Sequence, residues 1–137
     1  MTVDELYEFA EKENIDIYSA SLPLSQSMSV MDDELNCYIG IDYDLINSHA
    51  EEKSKLAHEI GHCMKGAFYN RYSKLDIISK HEYSADKWAC EHLLPKNEIQ
   101  EAFEKGYIEV WQLAEYFDVP EKKKKKALWI YFDKSIS

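Results

Sequence analysis

The sequence predicts an α+β fold, and three observations carry that prediction. Short stretches before residue 42 alternate apolar and polar side chains, the period of a half-buried strand. Two long segments after residue 47 combine helix caps with a 3.6-residue apolar period. A few strands followed mostly by helices is the order in which helices gather on one side of a small sheet.

Taken along the chain, Val3, Leu6, Tyr7 and Ala10 recur at i, i+3, i+4 and i+7, so residues 3–13 are expected to be helical. IDIYSA alternates and reads as a short strand. SMSVMDDELNCYIGID reads as two strands around an Asp-Asp-Glu turn, with Leu35, Cys37, Ile39 and Ile41 on one face of the second. Ser48 with Glu51 three residues on makes a capping box, and Gly66 after Lys65 is a stop, so a long helix lies between them. After the loop AFYNRYSKLD a second helix is expected over about 79–93. It must end near Pro95, because the residue before proline avoids the α region. Shorter helices fill the rest. Within them residues 108–134 look like a helix-turn-helix: a short helix, a turn at Asp118-Val119-Pro120, and a second helix opening with Lys122 to Lys126.

The length, 137 residues, suits a single domain over 1–137 with a core that needs no disulfide. Net charge is −10, which repels nucleic acid and anionic membranes, so neither is an expected partner. No apolar run approaches the roughly 18 residues that span a bilayer. The acidic, amphipathic N-terminus is unlike a signal or transit peptide. These features predict a cytoplasmic protein with reduced thiols, and Cys63 and Cys90 as buried apolar side chains.

The chemistry concentrates in KLAHEIGHCMKG, residues 55–66. Successive helix residues step about 100° around the axis, so with Leu56 at zero the apolar stripe covers about 120° and His58 and His62 lie near 200° and 240°. These histidines therefore face solvent or a cleft, and two imidazoles one turn apart can chelate one ion. H-e-x-x-H arises by composition alone roughly once in a few hundred chains of this length. Zinc with three protein ligands and one open position is the reading the motif supports best. A form of the motif with a third histidine fails here, because Phe68 and Lys65 stand where it needs His and Gly. HEYSADKWACEHLLP offers a carboxylate instead. Glu82 and Asp86 share the helix face that Ala89 and Leu93 would bury, and a buried carboxylate is costly unless paired or metal-bound. Glu82 is the expected third ligand and Asp86 the group that orients a ligand imidazole. Ser79 and Glu82 also fit a capping box, in which case Glu82 would only cap a helix. Glu59, about 100° from His58, is expected to act as general base toward a metal-activated water and then to protonate the leaving amine. Tyr69, Tyr72 and His92 are all open as the group that stabilises an oxyanion.

Together HEIGH, the segment HEYSADKWACEHLLP and the preceding strand NCYIGID resemble the ImmA/IrrE family of gluzincin-like metallopeptidases. The second segment looks like that family's E-x-x-A-[ND]-x-[FW]-A-x-x-L-L-x-P pattern, and among its departures are Asp86 for the commoner Asn and Ser84 for a frequent acidic residue. The resemblance covers about residues 15–132. It implies a small zincin-like domain with a short N-terminal sheet, a motif helix, a glutamate-ligand helix and a C-terminal helical segment. It also implies His58, His62 and Glu82 as zinc ligands and Glu59 as catalytic acid/base. The strand from Tyr38 to Asp42 would line the cleft and pair with substrate. Family members occur on prophages and mobile elements, and several cleave a partner helix-turn-helix repressor, so such a repressor is the implied substrate. The rival is an anti-repressor module on the same fold that grips its partner without cutting. The C-terminal lysines circle their helix and include no Asn, Gln or Arg for base readout, so that segment reads first as packing, with repressor docking or phosphate contact as alternatives.

Overall fold

The computed structural model describes residues 1–69 and 72–131 and shows an α+β architecture. Helix α1 (Val3–Lys12) leads into strand β1 (Asp16–Ser19), then β2 (Ser27–Met31) and β3 (Cys37–Ile41). A 3-10 turn at Tyr43–Leu45 precedes α2 (His49–Lys65), α3 (Leu75–Leu93), α4 (Lys96–Glu104), α5 (Val110–Phe117) and α6 (Glu121–Tyr131). Local signals explain the ends. Thr2 and Glu5 form a full capping box on α1. Ser48 Oγ accepts from the Glu51 amide, and Gly66 closes α2 at φ 60°, a conformation that glycine adopts without strain. Pro95 separates α3 from α4.

The sheet order is β1-β3-β2, with β1 parallel and β2 antiparallel to β3. Cys37, Ile39 and Ile41 face the core beneath α2. Leu35 does not continue that face. It sits in the turn at φ 68° and is 76% exposed, because Asp32 accepts from the backbone amides of Glu34 and Asn36 and folds the chain there. The core is completed by Leu6 and Ala10 of α1, Leu56, Ala57 and Ile60 of α2, and Ala89 and Leu93 of α3.

Two other expectations are corrected. Helix α3 begins at Leu75, four residues before Ser79, so Ser79 lies inside the helix and cannot be its cap. Cys37 and Cys63 are not separate thiols. They are joined in a disulfide with Cα atoms 5.9 Å apart, because β3 runs directly under the end of α2, and only Cys90 is free and buried. The lysines of α6 are not all solvated. Lys123 and Lys124 are 8% and 2% exposed. Leu128 and Tyr131 pack on the core, the role read first for this segment, whereas Phe132 and the side chain of Trp129 lie outside the described residues.

A close approach of two helices lies within the histidine motif itself. A Cβ on Gly61 would stand 2.6 Å from the Ala85 carbonyl oxygen and 3.1 Å from its Cα. Helices α2 and α3 therefore touch backbone to backbone at the residue directly before His62. Replacing Gly61 by alanine should raise helix propensity by about 1 kcal/mol yet destabilise the protein by about 1–3 kcal/mol net, since a helix must move to admit the methyl. Urea denaturation of the variant checks this. Equal or greater stability would mean the helices do not pack this closely.

Candidate metal centre

Helix α2 carries His58 and His62 one turn apart, with Nε2 atoms 3.2 Å from each other and rings nearly perpendicular at 85°. Helix α3 brings Glu82 across the contact at Gly61. Its Oε2 lies 3.0 Å from His58 Nε2 and its Oε1 3.1 Å from His62 Nε2. Among the described residues these three are the group whose ligand atoms all fall within 4.8 Å of one another, close enough to hold a metal ion.

The outer ring nitrogens show how the imidazoles are held. His58 Nδ1 is 2.8 Å from Asp86 Oδ1. His62 Nδ1 is 2.5 Å from the Ala67 carbonyl, which the left-handed turn at Gly66 brings back over the helix end. A carboxylate and a carbonyl can only accept, so each ring bears its proton on Nδ1 and turns the Nε2 lone pair inward. Two imidazole lone pairs and two carboxylate oxygens thus meet at one place. The Tyr69 hydroxyl donates into this group, 2.6 Å from Glu82 Oε1.

Such a cluster needs a positive charge. Protons are one source. At His58 burial opposes the charged ring, but hydrogen bonds to Asp86 and Glu82 outweigh it and raise the pKa to about 9. His62 is shifted up in the same way, with Glu82 and the Ala67 carbonyl overcoming burial. Hydrogen bonds from His58 and His62 hold the Glu82 carboxyl well below the usual range. A divalent cation is the other source, and two imidazoles with one carboxylate are a donor set that zinc takes. The residues fit the ion that the motif implies.

Asp86 is nearly buried and lies on His58, as the helix-face argument anticipates. Burial favours its neutral form, yet the hydrogen bonds from His58 and Lys126 and the charge of Lys123 hold the carboxyl well below the ordinary range. Glu59 is 6% exposed and lines the cleft beside the histidines, where its Oε2 accepts from Ser27 Oγ at 2.8 Å. Of the three candidates for oxyanion stabilisation, Tyr69 lines this cleft. Its hydrogen bond to Glu82, aided by burial, raises its pKa to about 12 and keeps it a donor. Tyr72 is 80% exposed, and His92 stacks on Trp88 with Nδ1 on that residue's carbonyl.

The cleft measures about 810 Å³ and is lined by Ser25, Ser27, Ser29, Lys55, Phe68 and Lys122 among others. The strand along it is β2, not β3. Strand β3 is hydrogen-bonded on both sides, and β2 is the edge strand between it and the cleft. Three residues at the site carried no readable signal: Ser27, Lys123 and Lys126. Ser27 looks like any strand serine until pairing with Ile41 turns it to the inner face, and the lysines look like part of a solvated run.

A family model described as the IrrE N-terminal-like domain (Peptidase_M78) matches residues 10–127. The chain belongs to this metallopeptidase family, and the match takes in α2, α3 and every residue of the centre. Neither a curated protein nor a solved structure matches the chain. No helix among the described residues is long and apolar enough to cross a membrane.

Below about pH 9 His58 carries a second proton, on Nε2, which an incoming ion must displace. Zinc affinity should therefore rise with pH, about tenfold per unit for each proton displaced, from neutral pH to about 9, and flatten above. Chelator-competition titrations from acid to alkaline pH would check the slope, and a flat profile would contradict the protonated cluster. Glu82→Gln should reduce the affinity beyond the about 10–100-fold typical of residues that only support a ligand.

Proposed function

We propose that the protein is a zinc-dependent endopeptidase in which His58, His62 and Glu82 hold the ion and Glu59 is the catalytic acid/base. The observation that carries this reading is the convergence of three ligand-type side chains from two helices beside a buried glutamate at the floor of a cleft. Bound zinc supplies a Lewis acid that lowers the pKa of a water toward neutrality and polarises a carbonyl. Glu59 takes the proton from the attacking water and delivers it to the leaving amine. Ser27 steadies that carboxylate through Oε2. The Tyr69 hydroxyl, a donor beside Glu82, is placed to turn toward oxyanion charge developing on the substrate carbonyl. Edge strand β2 supports binding of an extended substrate segment by strand addition along the cleft.

The substrate in this reading is a partner protein, a helix-turn-helix repressor of a prophage or mobile element. The family resemblance supports the repressor, and the cleft supports a protein-sized partner. Its walls mix serines and lysines with Met28, Phe68 and Pro120 along an open groove, and a chain this short leaves little room for a deep pocket for one side chain, so selectivity comes from docking a whole surface. A cytoplasmic location follows from such a substrate.

Glu59→Gln should keep zinc, since Glu59 is outside the ligand set, and lose about 10²–10⁴-fold in cleavage rate. The check pairs metal analysis with mass spectrometry of a repressor encoded by the neighbouring reading frame. If the variant still relieved repression in cells, the protein would act by gripping its partner rather than by hydrolysis. Rapid digestion of casein by the natural chain would contradict selectivity by docking.

A further inference from the structure

Helix α6 reaches the metal centre through charge. Lys126 Nζ lies 2.5 Å from Asp86 Oδ2, and Lys123 Nζ lies 3.5 Å from Asp86 Oδ1, the oxygen that also accepts from His58. Asp86 is therefore not simply a histidine's carboxylate partner. Its Oδ1 is shared between His58 of α2 and Lys123 of α6, and its Oδ2 is taken by Lys126 of α6. Lys123 is 8% exposed, so its charge is removed from water and faces a carboxylate nearly as buried as itself. A buried ammonium beside a buried carboxylate persists only when geometry and charge both match.

We infer that Lys126, assisted by Lys123, is a positioning residue for the metal centre, acting through Asp86 on His58. This rests on the reading that His58 is a ligand. The physical case is orientation. A carboxylate free to rotate can leave the Nδ1 proton, and the ring it holds can then turn. With Oδ2 tied to Lys126, rotation breaks an ion pair, so Oδ1 stays on His58 Nδ1. The imidazole keeps its tautomer, and its Nε2 stays aimed at the point shared with His62 and Glu82. Outer partners of ligand histidines commonly contribute about 10–100-fold in metal affinity, and here the outer partner has supporters of its own, supplied by the segment that reads in sequence as helix-turn-helix. The lysine-rich stretch is then part of the centre's scaffold.

The test is a double-mutant cycle in zinc affinity, measured by chelator competition at fixed pH, with Lys126→Gln, Asp86→Asn and the pair. Lys126 is 43% exposed in its side chain, so its replacement should leave the fold intact. Lys126→Gln is expected to weaken zinc binding about tenfold in the natural background and less than about twofold once Asp86 is Asn. Lys126→Arg should restore most of the loss, and Lys125→Gln, on the exposed side of the same helix, should change nothing. In NMR of the zinc-loaded protein the His58 Nδ1 proton should exchange faster with water in Lys126→Gln. Equal losses in both Asp86 backgrounds, or undiminished affinity in Lys126→Gln, would overturn the inference. Because binding is the readout, the proposed hydrolysis can fail while this coupling stands, and the coupling can fail while hydrolysis stands.

Discussion

Two imidazole lone pairs and a carboxylate face one another at 3.0–3.2 Å, and electrostatics permits this only around a positive charge. The surrounding structure can be read as the means of keeping these acceptors together. Gly61 lets α2 and α3 approach until the Ala85 carbonyl would crowd even a methyl group. Gly66 turns the chain so that Ala67 can accept from His62. Asp86 does the same for His58 from the opposite helix. The two rings are thus fixed by unlike means, one by its own helix end and the other by a distant side chain. The His62 contact forms with the local turn. The His58 contact exists only after α3 has docked.

Helix α2 consequently has three different sides. Leu56, Ala57 and Ile60 bury against the sheet and α1, and Leu56 and Ile60 each contribute about 1.5–3 kcal/mol of transfer free energy. Gly61 faces α3 with no side chain at all. His58, Glu59 and His62 face the cleft. At its C-terminal end Cys63, directly after His62, is tied to Cys37 of the central strand, which fixes the end of the helix to the sheet. The apolar face holds the helix in place, and the polar face is carried along in register. Strand β2 does likewise on its own scale, since its pairing with β3 puts Ser27 and Ser29 inward and leaves Met28 and Val30 exposed.

Much of this was legible in the sequence because its causes are local. Caps at Ser48 and Gly66, the helical spacing of His58 and His62, and the shared face of Glu82 and Asp86 depend on a few neighbouring residues and the helix period. What the sequence concealed depends on which distant elements meet. The start of α3 at Leu75 carries no side-chain cap to announce it. The disulfide required knowing that β3 passes under the end of α2. The exchange of β3 for β2 at the cleft is a matter of strand order, which alternation of side chains cannot reveal. Leu35 fits the period of its strand, but the Asp32 turn overrides it.

The lysine run shows how a pattern can be correct in shape and different in use. Helices α5 and α6 do stand around a tight turn, with Asp118 at φ 53°. A helix that reads DNA presents its cations outward, and strong binding neutralises about 6–10 phosphates. Here Lys123 and Lys124 are buried and Lys126 is engaged by Asp86, so of the five consecutive lysines Lys122 and Lys125 remain for solvent. Two cations on a chain of net charge −10 make a weak footing for a polyanion. The same two-helix unit has a stronger use where it stands. It closes one wall of the cleft with Pro120 and Lys122 while its next turns brace the carboxylate behind His58.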